Sequence, residues 1–107
     1  MTSIVEVVLT GPPAAVVAIV RILLNQRLIA SAQIADVRSS YWWSGSIESA
    51  KEARATMRTR TEVVPELLEV ANREHPYEVP GIIVLPVIDG NVDYLQWVRN
   101  ETSPSVT

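Results

Sequence analysis

The feature that most constrains the fold is a long alternating run that turns back on itself. Apolar side chains recur at second positions from Ala30 to Trp43, and Ser44-Gly45 then interrupts the run. The segment from Ile47 to Thr59 resumes the alternation. Two strand-like runs joined by a short, glycine-containing turn predict a β-hairpin.

The first run of this hairpin changes phase. Its early apolar residues share one phase, namely Ala30, Ala32 and Ile34. Its late ones share the other, namely Val37, Tyr41 and Trp43. Successive side chains of a strand point to opposite faces, so we expect a bulge or kink near Ala35-Asp36.

The second run predicts a sheet with one solvated face. Small and apolar residues alternate there with charged ones. The first set is Ala53, Ala55 and Met57, and the second is Glu52, Arg54 and Arg58.

Shorter elements surround the hairpin. Ile4 to Thr10 reads as a covered strand, and a helix follows Gly11-Pro12-Pro13 and ends near Arg27. Thr61 is a candidate N-cap for a second helix that must end before Pro76.

The last elements are a strand and a short helix. Ile82 to Ile88 is apolar but contains Pro86, so this strand should lie at an edge, end there or bulge. Tyr94 to Val98 predicts a short amphipathic helix, and residues 103–107 a frayed tail. The order predicts a single α+β domain over residues 1–107, a ferredoxin-like (split βαβ) antiparallel sheet with helices on one face.

The hairpin is too long for such a domain. Ala30 to Trp43 would reach ~45 Å at roughly 3.3 Å per residue, against ~17–20 Å for usual strands. The first helix covers only ~22 Å. Exposed strands with an aromatic tip tend to associate, so we expect a second copy of the chain to pack against the hairpin. Contacts of this kind can close into a ring of subunits. The alternative is a bent hairpin with Trp42 and Trp43 in their own core.

Composition excludes several classes of function. The net charge of −3 offers no basic footprint for nucleic acid or an anionic membrane. No apolar stretch is long enough to span a bilayer. The chain has no cysteine, so thiolate metal sites and disulfides are excluded. No signal peptide is recognisable, and we expect a cytoplasmic protein.

Several motifs resemble the CutA divalent-ion tolerance family. They are YWWSGSIE (41–48), MRTRTEVVPEL (57–67), HPYEVPGIIVLPV (75–87) and YLQWV (94–98), with LIASAQI (28–34) as a looser match. They cover almost the whole chain in the family's order. The resemblance implies a ferredoxin-like homotrimer built by strand pairing between subunits, a role in tolerance of divalent metals, copper binding, and no established reaction.

The chain departs from this family at positions that bear on metal binding. Copper-binding members can carry a cysteine at the position of Leu9 and a second histidine at that of Glu74. The family's second-strand cysteine aligns with Ser31. Gly81 follows Pro80 where glutamate is usual, and Arg58 replaces a lysine. Soft thiolate ligation of copper is therefore absent.

His75 is the only histidine, and Glu78 lies three residues on. An imidazole beside a carboxylate could form part of a site for copper or zinc, completed by neighbouring subunits. The alternative is a histidine that hydrogen-bonds a helix end, with Glu78 in a salt bridge.

A second candidate site is a ligand cleft. Its proposed residues combine aromatic walls with cations that suit an anion, and they are Tyr41, Trp43, Arg58, Arg60 and Trp97. This arrangement would fit a trimeric signalling module for a small anionic metabolite, similar to the nitrogen-regulatory proteins. The blander alternatives are a solvated arginine face and tryptophans packed in a subunit interface.

No HExxH, P-loop, GxSxG or GxGxxG motif is present, so we predict no enzyme activity. A purely structural trimer that acts through an unknown protein partner is the remaining hypothesis.

Overall fold

The computed structural model describes residues 2–102, and the tail predicted at 103–107 lies outside them. Four strands and three helices follow one another, with one 3₁₀ turn, Thr61–Val63. In chain order they are β1 (Ile4–Gly11), α1 (Pro13–Asn25), β2 (Ser31–Trp43), β3 (Ser46–Arg60), α2 (Val64–Glu74), β4 (Gly81–Pro86) and α3 (Val92–Glu101). The strands form one antiparallel sheet in the order β2-β3-β1-β4, which confirms the ferredoxin-like prediction.

The core lies between α1, α2 and one face of the sheet. Alternate residues of β1 and β3 face it, and they are Val5, Val7, Leu9, Ala53, Ala55 and Met57. The helices contribute stripes at helical spacing, Val16, Ile19, Val20 and Leu23 from α1 and Leu67, Val70 and Ala71 from α2. Burial of these two stripes holds both helices on the same face.

The hairpin register contains no bulge. Every pairing from Ser31 opposite Arg58 to Trp43 opposite Ser46 continues without an inserted residue, so the prediction of a kink near Ala35-Asp36 is wrong. A phase change implies a bulge only when the same face is covered along the whole strand. In this chain α1 and α2 cover only the base of the hairpin.

The predicted overhang is present. Only Ala53 to Arg60 of β3 pair with β1, and Ser46 to Glu52 have β2 as their sole strand neighbour within residues 2–102. The chain turns at Ser44-Gly45, both with positive φ, as a two-residue hairpin turn requires. Trp42 at the tip is 71% exposed, so the tip does not fold back into its own core.

The short α3 lies against the other face of the sheet. Arg58 and Arg60 alternate with the core-facing Met57, so they point away from α1 and α2. Arg60 donates two hydrogen bonds to the carbonyl of Thr102, just beyond α3, at 3.1 and 2.8 Å. The α1 and α2 helices thus lie on one face as predicted, and α3 covers part of the opposite one.

Two local predictions have different outcomes. The β4 strand is an edge strand that ends at Pro86, as its missing N–H predicts. Thr61 is not a helix cap, because its hydroxyl donates instead to the carbonyl of Ser3 at 2.8 Å. The long-range contact fastens the start of β1 to the end of β3.

Candidate functional site

His75 lies at the C-terminal end of α2, and its ring forms a hydrogen bond with β1. Pro76 disfavours helical geometry at the preceding residue, and His75 is extended at φ −77 and ψ 137. The residue is 7% exposed, and its Nε2 lies 2.8 Å from the carbonyl oxygen of Thr10. The carbonyl can only accept, so Nε2 carries the hydrogen. Nδ1 in turn accepts the backbone N–H of Tyr77 at 3.1 Å.

The imidazole is therefore a neutral Nε2–H tautomer with both nitrogens engaged. Its ring is also closely packed, since a Cβ added at Gly11 would lie 2.7 Å from Nε2. A metal could reach Nδ1 only by displacing the N–H of Tyr77. In this conformation His75 positions the segment after α2.

That segment carries Tyr77 to the overhanging part of β3. The Tyr77 hydroxyl donates to Oε2 of Glu52 at 2.5 Å. The hydrogen bond to the carboxylate, followed by desolvation, raises the pKa of Tyr77 to about 12. Glu52 is only 5% exposed, so the prediction that it belongs to a solvated face is wrong. Tyr77 covers it at the point where β1 ends.

A cleft of about 880 Å³ opens between the hairpin and the segment after His75. Its lining comes from β1, both hairpin strands and residues 76–81. The lining residues are Thr10, Arg38, Ser39, Ser40, Tyr41, Trp42, Trp43, Glu52, Pro76, Tyr77, Glu78, Val79 and Gly81. We call this space the hairpin cleft. Three predicted site residues, Tyr41, Trp43 and Glu78, meet there, and His75 lies outside the lining.

The other predicted residues lie elsewhere in the chain. Arg58 pairs with Glu6 at 3.0 Å and lies 3.5 Å from the Tyr94 hydroxyl. Arg60 is held by the Thr102 carbonyl, and Trp97 stacks on Tyr94 with ring centroids 5.8 Å apart. Arg58 lies six positions after Glu52 along β3, or roughly 20 Å of strand. One chain thus brings together only part of the predicted cleft.

The arginines of this region, Arg58, Arg60 and Arg99, already contact acidic side chains or backbone carbonyls of the protein. Glu62 contacts Arg60 at 3.8 Å and Arg99 at 3.1 Å, and the hydrogen bond from Arg99 lowers the pKa of Glu62. An anion at Arg58 or Arg60 would have to replace these partners. The anionic-metabolite hypothesis stays a prediction.

Sequence reasoning missed Glu52 and Tyr77, although they form the floor of the hairpin cleft. Tyr77 lies inside the HPYEVP motif and could have been included with His75 and Glu78. The position of Glu52 carries no local signal, since it alternates with Ala53 as a solvated residue would.

The described part of the chain holds no closed metal site. Between residues 2 and 102 no group of three or more His, Asp or Glu side chains could hold an ion. Imidazole is the ligand that suits copper and zinc, and the His75 nitrogens are used within the fold. A single chain therefore does not fit a protein-only copper centre.

Comparison with known proteins agrees with this ferredoxin-like class. The family model described as CutA1 divalent ion tolerance protein matches residues 5–101. The chain therefore belongs to the CutA1 divalent ion tolerance family.

Relatives support the assignment along most of the chain. The divalent-cation tolerance protein CutA of Pyrococcus horikoshii is 46% identical over 84 residues, 78% of this chain and 82% of the relative. That of Thermus thermophilus is 38% identical over 100 residues, 91% and 97% of the two chains. The human protein CutA is 41% identical over 93 residues, 83% of this chain and 52% of its own, so this chain spans about half the human relative.

Solved structures give the same fold. Pyrococcus horikoshii CutA superposes with a TM-score of 0.89 at 42% identity, covering 92% of this chain and 99% of the other. A protein of Archaeoglobus fulgidus named periplasmic divalent cation tolerance protein CutA gives 0.91 at 28% identity, covering 94% and 99%. None of the helices described in residues 2–102 is long and apolar enough to cross a membrane.

Proposed function

We propose that this chain acts in divalent-cation tolerance as a non-enzymatic homotrimer that binds a divalent cation weakly in the hairpin cleft. Its relatives are named as tolerance proteins and not by a reaction. The observation that carries the cation site is the Glu52 carboxylate, which is buried at the cleft floor and has no ion pair within residues 2–102. Glu78 supplies a second carboxylate at the rim.

The ligand set of this proposal differs from a copper centre. Carboxylate oxygens favour harder ions such as manganese, and copper or zinc would gain an imidazole only if His75 exchanged a hydrogen-bond partner. Two carboxylates make an open, weak site. In the proposed trimer, ligands from neighbouring subunits would complete it.

The metal test is calorimetric titration of Mn(II), Zn(II) and Cu(II) into four proteins. They are wild type, Glu78→Gln, His75→Gln and, as a matched exposed carboxylate on α2, Glu69→Gln. We expect Glu78→Gln to weaken binding about tenfold, as loss of a charged ligand does, and Glu69→Gln to leave it unchanged. His75→Gln keeps a donor near the Thr10 carbonyl and should change binding little. Equal binding by all four proteins would refute the site.

The trimer is supported by the overhang. The tip exposes Trp42 and Ile47, 71% and 65% accessible, and the edge of β3 from Ser46 to Glu52 has no β1 partner. Strand edges of this kind pair readily with another chain.

Light scattering tests the assembly. We expect wild type to show three times the chain mass at micromolar concentration. Trp42→Ser should dissociate on dilution, whereas Val17→Ser, which changes an exposed residue of α1, should not. A wild-type monomer at micromolar concentration would contradict the proposal. Cytoplasmic localisation stays a prediction, to be checked by cell fractionation.

A further inference from the structure

The hairpin cleft is much larger than a bare ion needs. Its volume of about 880 Å³ falls within the ~300–1,000 Å³ of small-molecule sites. Four aromatic residues line it together with the two carboxylates, namely Tyr41, Trp42, Trp43 and Tyr77. Aromatic walls suit an organic body and contribute nothing to the coordination of a hard metal ion.

The charged residues of the lining are Glu52, Glu78 and Arg38, so carboxylates outnumber cations there and favour a positively charged ligand. Glu52 is 5% exposed, and its one hydrogen bond within the described residues comes from the neutral hydroxyl of Tyr77. A buried carboxylate without a cation retains most of its desolvation cost. A positively charged ligand head would remove that cost, and aromatic faces attract the same charge.

We propose that the hairpin cleft binds an organic ammonium ion whose head contacts Glu52 and whose apolar body lies against Tyr41 and Trp43. The inference uses the cleft of the proposed function and names a second class of ligand for it. It does not depend on metal binding. An amine and a divalent cation should compete, because both neutralise the same carboxylate.

A lysine from a second copy of the chain is the alternative partner for the Glu52 carboxylate. Lys51, the chain's single lysine, neighbours Glu52 in sequence and pairs with Arg38 across the hairpin. If a second copy's Lys51 filled the cleft, Glu52→Gln would alter assembly. We expect Glu52→Gln to retain the wild-type mass in light scattering.

The experiment is calorimetric titration of the intact protein with phenethylammonium and with 2-phenylethanol, its neutral counterpart. We expect wild type to bind the ammonium at least tenfold more tightly than the alcohol, because a charge-assisted hydrogen bond contributes that much discrimination. Glu52→Gln should lose about tenfold to a hundredfold in affinity for the ammonium.

Controls keep the test decisive. Glu69→Gln should bind like wild type, and Tyr41→Leu should weaken binding several-fold with an unchanged circular dichroism spectrum, even if Glu52→Gln folds poorly. Equal affinity for amine and alcohol, or no effect at Glu52 and Tyr41, would overturn the inference. A changed mass of Glu52→Gln would do so as well, since it assigns the carboxylate to a subunit contact.

The inference and the proposed function fail separately. Amine binding without binding of Mn(II), Zn(II) or Cu(II) would support the inference and refute the metal site. Metal binding without amine binding would do the reverse.

Discussion

The two halves of β3 show how one strand can serve two environments. From Ala53 to Arg60 it pairs with strands on both sides, and its alternate residues are fully covered by α1 and α2. From Ser46 to Glu52 it pairs with β2 alone and lies beyond both helices. The first half has the contacts that fold the chain. The second half presents Glu52 to the hairpin cleft, beside the aromatic side chains that β2 contributes.

The largest contrast should come from truncating one apolar side chain in each half of the sheet. Leu9→Ala removes a fully buried side chain and should lower the free energy of unfolding by about 2–5 kcal/mol. Ile47→Ala should leave the free energy of unfolding of the single chain within about 0.5 kcal/mol and act on the proposed trimer instead. Urea unfolding followed by circular dichroism at several concentrations measures both. A large, concentration-independent loss at Ile47 would remove the distinction.

Gly11 lies where β1 stops pairing with β3, opposite Ala53, and it contacts the His75 ring. A methyl group there would lie 2.7 Å from the His75 ring, so Gly11→Ala must shift the ring and should cost about 1–3 kcal/mol. Gly90→Ala is the matched control, because its added Cβ meets Leu95 only at 3.4 Å. Thermal unfolding compares the two. Equal stability would mean that the His75 contact is easily rearranged.

Two buried threonines differ in their hydrogen bonding, Thr59 in the covered half of β3 and Thr102 just beyond α3. The Thr59 hydroxyl is buried without a hydrogen-bond partner within the described residues, so Thr59→Val should stabilise by about 1 kcal/mol. The Thr102 hydroxyl donates to the Val98 carbonyl at 2.8 Å, so Thr102→Val should destabilise by a similar amount. Chemical denaturation gives both values. The same sign for both substitutions would contradict the hydrogen-bond assignment.

The hydrogen bond between Tyr77 and Glu52 makes stability depend on pH. The folded chain holds the Tyr77 proton more tightly than the unfolded chain, with a pKa of about 12 against 10.0. Its contribution to stability is therefore complete below pH 10 and lost as the pH rises through 12. We expect one tyrosine to ionise near pH 12 by ultraviolet absorbance. Glu52→Gln should lower that pKa, and an unchanged titration would contradict the contact.

Sequence patterns predicted the covered half well and the overhang only in part. The spacing of Val16, Ile19, Val20 and Leu23 predicts a helix face that the structure confirms. The predicted bulge is absent, because the apolar residues of β2 serve two different faces without a break in register. Ala32 packs toward α1 and α2 at the base of the hairpin, whereas Tyr41 and Trp43 face the hairpin cleft on the other side. The periodicity of a strand predicts which of its faces is buried, but it does not predict where along the strand the covering helices end.

The site was harder to predict for a related reason. The hydrogen bonds of His75 go to backbone groups of Thr10 and Tyr77, and those partners carry no pattern in the sequence. The burial of Glu52 depends on Tyr77, 25 residues away along the chain. Long-range contacts of single polar groups follow from the assembled fold, so only the neighbourhood of HPYEVP was predictable.

The unbroken hairpin register also bears on the order of folding. The Ser44–Gly45 turn lets β2 and β3 pair between close sequence neighbours, an event that takes about 1–10 μs in isolated hairpins. The pairing of Ile4 with Arg60 must close a far longer loop, which costs more chain entropy before any contact forms. We therefore expect the hairpin to form first and to act as the template on which β1 and then β4 are added. Truncations at the tip would then slow folding more than they alter the final stability.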